Sequence, residues 1–131
     1  MKKIIAGFLA LSMTACGGTP VEEAAVSELG IKTSAPGLIE LMQKVSGRDD
    51  ADCMSPAENV SVCVVSEGRE VYSFTFGEHP AHPAALFRGF VEVEAQDALQ
   101  LQQRGWYAGD EAAAMAFFER RVRSAEQPRR E

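Results

Sequence analysis

His79 and His82 are the two histidines of the chain, set three apart in Gly77-Glu78-His79-Pro80-Ala81-His82-Pro83. Imidazoles ligate zinc and exchange protons near neutral pH. A structural zinc takes about four protein ligands and a catalytic zinc about three plus water. Two imidazoles with Glu78 beside them fall short of either set. The pair therefore marks a candidate binding or acid–base loop, with Arg88 as the nearest downstream cation, and no metal or cofactor is expected. Glu92 and Glu94 share one face of an alternating run, about 7 Å apart. Paired carboxylates at a suitable distance hydrolyse glycosides, but a solvent-facing strand shows the same pattern. Asp49, Asp50 and Asp52 lack the glycine and distal glutamate of a calcium loop. Trp106 and Tyr107, between Gly105 and Gly109, are residue types favoured in binding hot spots. They also lock helix junctions onto sheets. No G-x-S-x-G elbow, phosphate-cradling glycine loop or basic aromatic patch occurs. The catalytic residue set is thus empty at this level, and the reading leans away from an enzyme.

The N-terminus carries a different kind of signal. Lys2 and Lys3 precede ten uncharged, largely apolar residues, Ile4 to Met13, and the small Ala15 precedes Cys16. Basic, apolar and small in that order is the layout of a secretory signal peptide. The run is too short to span a bilayer, which takes about 20 apolar residues. Met13-Thr14-Ala15-Cys16 resembles the lipobox of bacterial lipoprotein precursors, with Ala15 and Cys16 on its last two positions and Met13 and Thr14 departing from the usual residues. The resemblance implies cleavage before Cys16 and acylation of that cysteine. Several acyl chains anchor stably where one binds only marginally. Gly17 after the cysteine, rather than Asp, implies sorting to the outer membrane, on its periplasmic face. With Cys16 taken by lipid, Cys53 and Cys63 remain as an even pair in an oxidising compartment, where a disulfide is expected.

Loss of Lys2 and Lys3 from 13 basic residues leaves 11 against 19 acidic ones, a net charge of about −8. That balance argues against nucleic acid and against electrostatic binding to anionic lipid. The membrane would be reached through the lipid, and the partner would be another envelope protein. The expected organisation is a leader over 1–15, a flexible tether over 16–33, one small domain over 34–125 and a charged tail over 126–131.

The elements that position these residues read as α+β. Ser34 caps a helix to Ser46, with Pro36 in the first turn and Leu38, Leu41, Met42 and Val45 on one face. Val60–Val65 and Glu70–Phe76 read as a hairpin, the most secure local structure. Leu86–Glu94 alternates as a third strand, with Phe87, Val91 and Val93 expected to face the core. Residues 97–104 read as a short helix, although Leu99-Gln100-Leu101-Gln102 also suits a fourth strand. Asp110 caps a last helix from Glu111 to about Ser124, with Ala114, Met115, Phe118 and Val122 as its apolar stripe. The expectation is an N-terminal helix, a three-stranded antiparallel meander, and one or two C-terminal helices packed on one face of the sheet.

Overall fold

The computed structural model describes residues 24–94 and 98–130. The elements run β1 (Val26–Lys32), α1 (Ala35–Ser46), β2 (Asp52–Ala57), β3 (Val60–Val65), a 3-10 turn (Ser66–Gly68), β4 (Glu70–Thr75), β5 (Ala84–Val93), β6 (Ala98–Tyr107) and α2 (Glu111–Val122). The six strands form one sheet in the order β1-β6-β5-β4-β3-β2. All neighbours are antiparallel except β1 with β6, which run parallel. The three-stranded meander opened by a helix is thereby corrected to a six-stranded mixed sheet whose first element is a strand.

Each added strand escaped notice for a physical reason. β1 lies in the stretch expected to be a tether. Gly30 adopts φ +94° where the β1–β6 register shifts between Leu29 and Ile31. Glycine reaches that conformation without strain and so bends the strand without ending it. β2 is exposed along its whole length and contains Pro56. Proline donates no ladder bond and is tolerated at a sheet edge. The Ser55 hydroxyl, 2.7 Å from Val60 O, bonds across to β3 beside it. In β6 the Leu-Gln alternation prevails over the helix expected across 97–104. Ten β5–β6 register pairs, Ala84↔Tyr107 to Val93↔Ala98, hold it extended.

Both helix starts are where their caps place them. Ser34 Oγ accepts the Gly37 N–H at 3.1 Å, and Asp110 accepts the Ala113 N–H at 2.8 Å. Each satisfies a donor that the first turn leaves free. The helices do not share a face, however. Val60 and Val62 of β3, Val71 of β4 and Leu86 of β5 pack with Ala114, Phe117 and Phe118 of α2. Residues of opposite parity, Cys63, Val65, Phe74 and Ala85, pack with Leu38 and Val45 of α1. Successive strand residues point to opposite faces, so α1 and α2 cover the two sides of the sheet. The central strands are apolar on both faces, and one layer of helix would have left half of that surface in water.

The same parity reverses the expected core face of β5. Leu86, Arg88 and Phe90 are buried, whereas Phe87, Val91 and Val93 are half-buried. The chain after α2 lies on the α2 side as well. The Arg129 N–H donates to Gly68 O at 2.6 Å, and the Arg130 guanidinium sits 4.8 Å from the centre of the Phe90 ring.

Candidate functional site

The residues singled out by type fall at separate places in this frame. Cys16 lies outside the described residues, with the leader and most of the spacer. Cys53 and Cys63 face each other in the β2–β3 register and are disulfide-bonded. Arg88 is only 3% exposed. Its Nε donates to Gln103 at 3.0 Å, and another nitrogen donates to Gln127. Burial pushes its pKa down. It props the C-terminal segment against the sheet. Trp106 and Tyr107 end β6 and face opposite ways, Trp106 into the α1-side core and Tyr107 into the α2-side core, so the two aromatics do not converge. Asp50 is held by Arg48 at 2.8 Å and by the Ser66 N–H at 3.0 Å. Glu92 and Glu94 border a small hollow beside Leu99 at the far end of β5. Among the described residues no three His, Cys, Asp or Glu side chains gather in a metal-binding group. Nor is any described helix long and apolar enough to cross a membrane.

The histidine loop follows β4. Thr75 is 2% exposed; its Oγ1 accepts the Ala84 N–H at 2.9 Å and shares a 2.9 Å hydrogen bond with His82 Nδ1. One buried hydroxyl thus ties the two ends of the loop together. His79 Nδ1 accepts the Ala81 N–H at 3.0 Å. An accepting Nδ1 carries no proton, so the neutral ring holds its proton on Nε2. The ring meets Phe117 edge-on at 5.3 Å. Burial pushes the His79 pKa below the usual histidine value, and the charges of Arg120 and His82 push the same way.

His79 borders a cleft of about 650 Å³. One wall is α2, where Ala113, Ala116, Phe117 and Arg120 recur at helical spacing. The other is made by the β2–β3 turn, with Glu58, and the loop after β4, with Glu78 and Pro80. The volume lies in the range of small-molecule and short-peptide sites, about 300–1,000 Å³. Arg121 also borders it, at 8% exposure; one terminal nitrogen pairs with Glu126 at 2.9 Å, and its buried Nε has no acceptor among the described residues. The loop side of this cleft was legible as the histidine motif. The helix side was missed because Phe117 and the two alanines were set outside the apolar stripe. Their i, i+3, i+4, i+7 spacing with Arg120 was the available signal.

The depressed His79 pKa has a consequence for stability. The unfolded chain takes up a proton near pH 6.5, whereas the folded chain resists it to lower pH. The unfolded state therefore binds more protons in that window, and stability falls as pH drops below about 6.5. Glu58, Glu78, Arg120, Arg121 and His82 are the other charged or titratable groups around the cleft and its loop. Replacement by glutamine keeps a polar side chain and removes the titration. The loss in melting temperature between about pH 7.5 and about pH 5, bracketing that value, is expected to be smaller in His79→Gln than in the unaltered protein.

No family model, curated protein or solved structure matches this chain.

Proposed function

We propose that this chain is a lipid-anchored protein of the bacterial cell envelope that works by contact with a partner protein, as an accessory or inhibitory module. The leader of basic, apolar and small residues ending at Cys16 supports the anchor. The observation that carries the contact function is the cleft between α2 and the two turns, an apolar floor with charged rims. Such concave apolar sites with a few convergent polar groups are the usual form of a binding site. The nitrogens that His79 and His82 turn toward their own loop support binding over catalysis. Each ring has its Nδ1 engaged, with the Ala81 N–H or with Thr75, and among the described residues no carboxylate is hydrogen-bonded to either imidazole.

Two measurements test the two halves. Labelled palmitate should enter the full chain and be lost in Cys16→Ser, which should then leave the membrane fraction. A photoreactive residue at position 116 in the cleft should give one discrete adduct in cells, while the same residue at position 44, on α1 across the sheet, should not. An unlabelled, soluble chain removes the anchor. Equal adducts from both positions remove the cleft as the contact site.

A further inference from the structure

The charges around this cleft are sorted by wall. Arg120 and Arg121 stand on α2, whereas Glu58 and Glu78 stand on the turns opposite. None of the ion pairs within 4.0 Å among the described residues joins the two walls. Arg121 is taken out of water and is already paired with Glu126 through one terminal nitrogen. Arg120 is exposed on the same wall and is the α2 cation within reach of a ligand in the cleft. Between the charges the floor is apolar, with Phe117 at 4% exposure and Val60 at 5%.

We infer that the cleft takes a short peptide with free ends and apolar side chains, its carboxylate on the α2 wall and its ammonium on the turn wall. A polyanion would meet Glu58 and Glu78, and a polycation would meet the arginines. An uncharged apolar body would leave the charges on both rims desolvated and unpaired, which is unfavourable. A zwitterion suits both walls, and the His79 Nε2–H adds a neutral donor. The volume suits a ligand on the order of a tripeptide. This inference rests on the cleft being a binding site, goes beyond the protein contact proposed for it, and is independent of the anchor.

Calorimetric titration of the full chain in detergent with trileucine tests it. Saturable binding at one site is expected, weakened about tenfold when the peptide is N-acetylated and about tenfold when it is amidated, the scale of one charge-assisted contact at each end. Arg120→Gln should reproduce the loss caused by amidation and be insensitive to it. Ala116→Trp should abolish binding with an unchanged melting temperature and circular dichroism spectrum. No saturable binding overturns the inference. So does equal affinity for the doubly blocked peptide, for decanoate or for free leucine, which would mean apolar filling, a carboxylate site or an amino-acid site in turn. A cleft adduct in cells together with any of these results would keep the proposed function and remove only the peptide.

Discussion

Replacing Phe118 by alanine is expected to lower the unfolding free energy by about 3–5 kcal/mol, the range for emptying a buried aromatic site. The ring is fully buried, with 0% exposure. It fills the space between α2 and the sheet at the one place where β6 offers no side chain, Gly105. A methyl group on Gly105 would fall 2.9 Å from two carbons of the ring and 3.0 Å from a third. The glycine is therefore the socket and the phenylalanine the knob. Domains of this size are stable by about 5–15 kcal/mol, and at about 4–8 °C per kcal/mol the variant should melt roughly 12–40 °C lower. Gly105→Ala alone should cost about 1–3 kcal/mol through overpacking. In the Phe118→Ala background the same methyl group enters the vacated space, so the two losses should add to less than their sum. Chemical denaturation of the four proteins measures this coupling. Strict additivity would mean that the ring and the glycine do not meet.

What the sequence disclosed divides by the range of the forces involved. Helix starts depend on a side chain and a backbone group three residues away, so Ser34 and Asp110 announced theirs. The hairpin of β3 and β4 needs only adjacent alternating runs, and it too was legible, with Cα partners from Val60↔Thr75 to Val65↔Glu70. The choice of face was not. The pairs Leu86/Phe87 and Phe90/Val91 are apolar on both sides, and the placement of the helices and the C-terminal segment decides which is buried the more deeply. Arg88 shares the face that ends in Glu92 and Glu94, and charges usually mark the wet face. Here two glutamine side chains, Gln103 and Gln127, compensate its burial, and one of them arrives from 39 residues away. The edge strands were hidden for the opposite reason. β1 and β2 bury little, so they carry weak hydrophobic patterns, and tertiary pairing sets their conformation. The cleft follows the same rule. Its histidine side was visible as a motif, while its arginine side exists only because α2 lies across the end of the sheet.

The disulfide supports the second large expected effect. β2 is an edge strand with no buried residue, so neither hydrophobic burial nor a second neighbouring strand holds it. Cys63, at 0% exposure, anchors the bond in the α1-side core, and Cys53 brings the edge to it. The closed loop spans ten residues. In the chain-entropy account such a loop stabilises by roughly 2.5–3 kcal/mol through restriction of the unfolded chain. Cys53→Ala removes the bond at an exposed position and leaves no cavity, so its loss reports the cross-link alone. It should match the loss on adding reductant to the unaltered protein. Cys63→Ala should cost more, since it also empties buried volume. The loss should be uneven along the sheet. Hydrogen exchange is expected to quicken at amides of β2 and of its partner β3 while those of the β5–β6 pair keep their protection, because opening an edge does not require the centre to open. Glu58 and Asn59 lie in the turn that this bond closes and border the cleft, so reduction should also weaken trileucine binding. Unchanged exchange in β2 after reduction would show that the strand is held by its hydrogen bonds alone.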